Sequence, residues 1–239
     1  MSIHLNIHRV SNGLKEFRKR FLVHALLSWL GPLHSHLGVL LRKCIYPAIF
    51  GKFGQQVRIA PLVEFVNPAG IFIKSNVKIE PGVSIRSHSA MSKIVLHRNV
   101  SLDKYLNIKT HKLGRIEIGH HTDIGPFTCL SGDSIVIGND CLIASHCRIY
   151  ANNHTFSNPE TLIRRQGHSY KGITIANNCW LGTGVSILDG VTVGEGSVIG
   201  AGSVVTKSIP PFSVALGVPA KVVKRRKRRS SRLLVESSR

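Results

Sequence analysis

The sequence predicts an all-β solenoid whose chain turns a corner every six residues, with a helical extension before it and a basic tail after it. Three observations carry this. Ile175, Leu181, Ile187, Val193, Ile199 and Val205 recur at intervals of six without a slip, and four residues after each stand Cys179, Val185, Val191, Ser197, Ser203 and Ile209. Gly follows the first apolar position at Gly182, Gly194 and Gly200. The 22 Gly lie among Ile and Val in a chain with 6% aromatics, which excludes a collagen-like chain, a long helical rod and low-complexity disorder. An amphipathic helix has no period of six.

Three flat six-residue strands close one triangular coil, and successive coils stack. The large aliphatics then point into the prism, small residues fit where a corner crowds the interior, and Gly adopts turn dihedrals without steric cost. The same pattern is present upstream as Ile118-Gly119 with Thr122, Ile124-Gly125 with Thr128, Ile137-Gly138 with Cys141 and Ile143-Ala144 with Cys147. Fragments at Ile73/Val77/Ile79/Val83/Ile85 and Leu96/Val100/Leu102/Leu106/Ile108 extend it, so coils are expected from about Val57 to about Thr206. Cys129, Cys141, Cys147 and Cys179 fall on core or corner positions. Five widely spaced Cys without a CxxC argue against a disulfide scaffold or zinc ribbon and fit a reducing compartment.

The expected organisation is a helical extension over residues 1–55, a coiled domain over 56–220 and a basic tail over 221–239. Residues 21–41 contain no Lys, Arg, Asp or Glu, close to the length of a membrane span, but Gly31-Pro32 and three His interrupt them. Pro after Gly ends one helix and starts another. Leu14, Phe17 and Phe21 repeat at helical spacing beside Lys15, Arg18, Lys19 and Arg20, which predicts an amphipathic helix lying on a membrane surface or on the main domain. The N-terminus lacks the pattern of a signal peptide, so a cytoplasmic protein is expected, with peripheral contact at the cytoplasmic membrane face. Lys plus Arg at 32 against Asp plus Glu at 12 gives a net charge of +20, which favours an anionic ligand or surface. Nucleic acid is the weakest such partner, since there is neither a helix-turn-helix nor interleaved aromatics to stack bases.

The repeat breaks once. Ile149 and Ile175 are 26 residues apart, four repeats plus two, and the stretch between them is polar and basic. This predicts a loop over 150–172 thrown out from a coil, and loops on rigid scaffolds are where chemistry concentrates. Asn153-His154-Thr155-Phe156 opens it.

That opening, followed by NNCWLGTGVSILDGVTVGEGSVIGAGSVVTKSIPP and GVPAKVVKRR, resembles the hexapeptide-repeat acyltransferases with a left-handed parallel β-helix. The likeness is to the sugar O-acetyltransferases of the maltose, galactoside and Nod-factor type and their relatives in bacterial polysaccharide biosynthesis, and it covers about Ile116 to Arg226. It implies a homotrimer with acetyl-CoA, and no metal, in a groove between neighbouring prisms, and a sugar or glycan-precursor acceptor approaching a catalytic His, which matches His154. The coenzyme-contacting positions it implies are Thr183, Ala201, Thr206, Lys207, Lys221 and Lys224; Trp180 either packs at a corner beside the groove or meets the pantetheine. Family members often carry Ser at the place of Thr183 and Arg in the tail; this chain keeps a hydroxyl and a cation at those places. Some members orient the His with an acidic residue; Glu160 lies in the loop and Asp133 one coil earlier, and neither matches that position.

A His near neutral pKa suits the role, taking a hydroxyl proton as the oxygen attacks the thioester. Competing readings are transfer to an amine, as on an amino-sugar nucleotide, or to serine; a trimeric β-helix metal enzyme of the carbonic anhydrase type using His among His120, His121, His146, His154 and His168; and a catalytically silent scaffold. The Asn153-His154 loop ahead of Trp180 favours hydroxyl acceptors.

Overall fold

The computed structural model describes residues 21–89 and 91–227. The chain is a left-handed parallel β-helix of about 7 turns. One face of the prism is a parallel ladder that climbs from Arg58–Ile59 through Lys78–Ile79, Ser101–Leu102, Asp123–Ile124, Leu142–Ile143 and Trp180–Leu181 to Val198–Ile199 and Ser213–Leu216. We call this the ladder face. The other two faces merge into a 12-stranded sheet because Asn107–Ile118 and Cys129–Ile137 run from one face into the next, with a register shift between Gly132 and Ser134.

All six repeat positions from Ile175 to Val205 are fully buried. So are their partners four residues on, and these are chosen for more than size. The Thr122 hydroxyl donates to the Gly138 carbonyl at 2.8 Å and accepts from the Cys141 N–H at 3.1 Å. The thiols of Cys147 and Cys179 lie 3.3 Å from the carbonyls of Gly182 and Gly194 on the next coil. Backbone groups that the turns leave unpaired are thereby satisfied inside the prism. Burial pushes the Cys147 thiol above its ordinary value, as expected of a packing residue.

Each coil bends through left-handed residues. At one corner these are Asn76, Asn99, His121, Asp140 and Asn178, types that tolerate positive φ. At the next they are Tyr105, Phe127 and His146; for the two bulky aromatics the conformation costs about 1–2 kcal/mol each. Stacking offsets part of that: Tyr105 and Phe127 lie 5.3 Å apart, and Phe127 and His146 5.0 Å apart, with nearly parallel rings.

A first coil has nothing to stack on, so its apolar end needs a cover. Residues 21–30 form a helix, α1, and His36–Ile49 a second, α2, separated by the turn at Gly31-Pro32. Tyr46 of α2 and Phe50, the residue that ends it, close the prism against Phe65, with Phe50 and Phe65 rings 4.8 Å apart edge to face. Arg42 ties the two helices, its Nη1 donating to the carbonyls of Leu30 at 2.8 Å and Leu33 at 2.9 Å. At the other end Lys221–Arg225 folds back antiparallel onto Ser213–Leu216. Among the described residues no helix is long and apolar enough to cross a membrane. The amphipathic pattern at Leu14 and Phe17 lies outside the described residues, as does the basic run beyond Lys227.

Candidate active site

The corner opposite the ladder face carries the long loop. The chain leaves the strand Arg148–Ala151, runs out, and returns to Ile173–Ile175. Its stem is a two-stranded antiparallel ribbon in which Asn153 faces Ser169 and His154 faces His168. Gln166 clips the tip, donating from Nε2 to the carbonyls of Asn158 at 2.8 Å and Thr161 at 2.7 Å. The base is held by the Asp189 carboxylate, which accepts from the N–H groups of Lys171 and Gly172 at 2.9–3.0 Å. Gly172 makes this bend at φ +89, where a side chain would be strained. The loop is thus an ordered arm, and His154 is presented by its stem.

The His154 ring is exposed and lies 4.2 Å, centroid to centroid, from the ring of His168. His168 continues to Tyr170 at 6.1 Å, and Tyr170 to His111 at 6.4 Å. His111 Nε2 is 3.1 Å from the Ser131 hydroxyl. Burial, then Lys109, His88 and His168, hold the His111 pKa below its ordinary value against the opposing pull of Asp133, so His111 is neutral at neutral pH.

Two oxygens at this corner have no donor. Asp133 Oδ1 and Asn152 Oδ1 are buried without a hydrogen-bond partner. Pairing of Gly132 with Ala151 brings Asp133 and Asn152 to the same corner on successive coils, and Asn152 stands two residues before His154 along the chain. Neither Asp133 nor Glu160 bonds to His154 among the described residues. Glu160 sits at the loop tip, its N–H donating to Asn158 Oδ1 at 2.9 Å. His111 and Asn152 were not singled out from the sequence, and His168 was weighed only as a metal ligand. The ribbon pairing that brings His168 to His154 spans 14 residues of irregular chain and leaves no periodic trace.

The positions proposed for the coenzyme lie elsewhere. Trp180 points outward from the ladder face, 53% exposed, at the upper end of a shallow cleft of about 580 Å³ that also touches Asp103, Asp123 and Leu142. Thr183 and Ala201 are exposed on successive coils at the adjoining corner, where the Gly202 N–H donates to the Thr183 carbonyl at 2.8 Å. Thr206 and Lys207 are exposed just after the strand Val204–Val205, on the face that leads back to the loop corner. Lys221 and Lys224 lie exposed on the returning strand, opposite Leu216 and Val214. One prism face therefore separates His154 from Thr183 and Ala201 within a single chain. The five His weighed for a metal are likewise spread over three corners: His120 and His121 at one, His146 at the next, His154 and His168 at the third.

Residues 172–207 match the family model described as bacterial transferase hexapeptide (six repeats). A probable acetyltransferase of Mycobacterium tuberculosis is 29% identical over 230 residues, covering 92% of this chain and 70% of that protein. The chain is an acyltransferase that carries the hexapeptide repeat over residues 172–207. The galactoside O-acetyltransferase of Escherichia coli is 43% identical to the acyltransferase over 63 residues, 26% of this chain and 31% of that one. Among solved structures, the polySia-specific acetyltransferase NeuO aligns with TM-score 0.52 and 26% identity over 75% of this chain and 88% of its own. AntD, an N-acyltransferase from Bacillus cereus in complex with dTDP and 3-hydroxybutyryl-CoA, aligns with TM-score 0.55 over 82% of this chain and 92% of its own. At 21% identity that likeness concerns the fold of the acyltransferase alone.

Proposed function

We propose that the acyltransferase moves an acetyl group from acetyl-CoA to a sugar hydroxyl, with His154 as general base, in bacterial surface polysaccharide biosynthesis. One observation supports a hydroxyl-rich acceptor: the corner from which the arm bearing the exposed His154 leaves also holds two oxygens, Asp133 Oδ1 and Asn152 Oδ1, that lack donors. Leaving such oxygens unpaired costs about 1–3 kcal/mol each, and the hydroxyls of a sugar, directly or through water, are donors of the kind they lack. His154 takes the proton of that hydroxyl as its oxygen bonds to the thioester carbonyl carbon; as the C–S bond breaks, the same ring returns the proton to the departing sulfur. Coenzyme and acceptor held side by side make the step effectively unimolecular.

The separation of His154 from Thr183 and Ala201 supports a homotrimer in which the arm of one prism meets the ladder face of its neighbour. The arm exposes Phe156, Leu162 and Ile163, apolar side chains that such a contact covers. Coenzyme phosphates fall to Lys207, Lys221 and Lys224. The three-part division at residues 55 and 220 fits this plan: a coiled catalytic unit, a basic tail, and a helical extension. That extension exposes Phe21, Leu22, Trp29, Leu37 and Leu40, which supports peripheral contact with a cytoplasmic membrane surface.

The test is release of free thiol from acetyl-CoA by the purified protein over a panel of sugars, nucleotide-sugars and amines, beside His154→Ala. Release that needs a sugar and His154 is the expected result. Release driven by amines instead turns the assignment to N-acyl transfer.

A further inference from the structure

A second cleft, about 470 Å³, lies between α2 and the first two coils, well away from the loop corner. Its wall is apolar, with Val39, Phe53 and Ile59, and its polar lining is Arg42, Lys43, Arg58 and Lys78 against the single carboxylate of Glu80. Glu80 makes no ion pair with any of the four among the described residues.

Arg42 is the decisive group. It is 3% exposed, and only Nη1 is used, on the carbonyls of Leu30 and Leu33. Its Nε and Nη2 are buried with no acceptor. A buried guanidinium with two idle donors and no counter-ion is a costly arrangement that an anion relieves, and the planar fork suits a phosphate. Arg58 and Lys78 stand at the same level of the ladder face on successive coils, both exposed.

We propose that this cleft binds the phosphate head of an anionic lipid, the phosphate taken by Arg42, Arg58 and Lys78 and the first part of the chain laid along Val39, Phe53 and Ile59. The inference deepens, and in part rests on, the membrane contact assigned above to the N-terminal helices. A lipid rather than a free phosphate is indicated by the apolar wall, which a water-soluble anion leaves uncovered.

The test uses the full chain and dihexanoyl phosphatidic acid below its micelle concentration, followed by calorimetry, with inorganic phosphate and dihexanoyl phosphatidylcholine as the other arms. Saturable binding at one site per chain is expected for phosphatidic acid, at least tenfold tighter than for either control. Arg58→Ser/Lys78→Ser should weaken it at least tenfold; both side chains are exposed, so the fold is spared even where Arg42→Ala loosens α1. No saturable binding, or binding untouched by the double variant, overturns the proposal. Equal affinity for inorganic phosphate also overturns it, making the site one for a water-soluble anion. Sedimentation with phosphatidylglycerol vesicles separates the two ideas. If the wild type stays in solution yet binds the soluble lipid, the membrane contact fails and the cleft stands.

Discussion

Gly182 is the residue at which the stacking geometry and the proposed coenzyme groove meet. A Cβ there would sit 2.7 Å from the Ala201 nitrogen, 3.0 Å from its Cα and 3.1 Å from the Ile199 carbonyl oxygen. All three are backbone atoms of the coil above, and carbon contacts are comfortable only from about 3.5 Å. Gly182→Ala therefore forces that coil up by roughly half an ångström or more, an overpacking cost of about 1–3 kcal/mol. For a chain of this size the melting temperature should fall by about 2–12 °C. Because the displaced residue is Ala201, acetyl-CoA should also bind about tenfold more weakly, the loss of one hydrogen bond or its equivalent. Gly138→Ala is the control: its Cβ would meet the Asn177 nitrogen at 2.7 Å, the same kind of clash two coils lower and away from Ala201. It should lower stability similarly and leave coenzyme affinity alone. An unchanged melting temperature for Gly182→Ala would refute the stacking argument, and equal coenzyme affinity in the two variants would remove Ala201 from the groove.

His154→Ala should lower turnover by about 10²–10⁴ while sparing acetyl-CoA affinity, and near-normal turnover removes its role as base. Lys207→Ala and Lys221→Ala should each raise the KM for acetyl-CoA with little change in kcat; an unaltered KM assigns the phosphates to other cations. Stability should depend on pH in two steps. Burial and neighbouring cations depress His111 below its ordinary 6.5, so the fold favours its neutral form; that contribution is present above pH 6.5 and is lost as pH falls toward the lowered value. Burial raises Glu117 and Glu64, but bonds from His97 and Arg115 to the first, and from Ser84 and Arg86 to the second, outweigh it and hold both below 4.5. Their contribution is present above pH 4.5 and is lost as pH falls through the lowered values. Melting temperatures across pH 3–8 should show both steps; His120, also depressed by burial and by His97, Arg98 and His121 against Asp140, shares the upper one, so His111→Gln should shrink that step and leave the lower untouched, and an upper step of undiminished size removes His111 from it.

The prism was legible because its determinant is local and repeated. An aliphatic every sixth residue, from Ile175 to Val205, states both the strand and the turn, and each repeat position proved buried. The loop was legible as the place where the period lapsed. What that loop does internally was not: Gln166 reaching Asn158, Asp189 holding Lys171 and Gly172, and His168 meeting His154 are contacts between residues with no periodic relation. The small second positions read as a matter of size, whereas Thr122, Cys147 and Cys179 also supply hydrogen bonds to the next coil, a requirement visible only when the coils are stacked.

The sequence by itself determined the coil, the site of the arm and the chemical type of the residue at its root, since each depends on short-range pattern. The tertiary structure alone decided which groups face one another across coils. It put the two donor-less oxygens of Asp133 and Asn152 at the corner from which the arm leaves, set Thr183 and Ala201 on a different corner, and left Arg42 buried between α2 and the prism with unused donors. Such facts depend on stacking register and on what each buried polar group finds opposite it, and neither is stated in the order of residues along one coil.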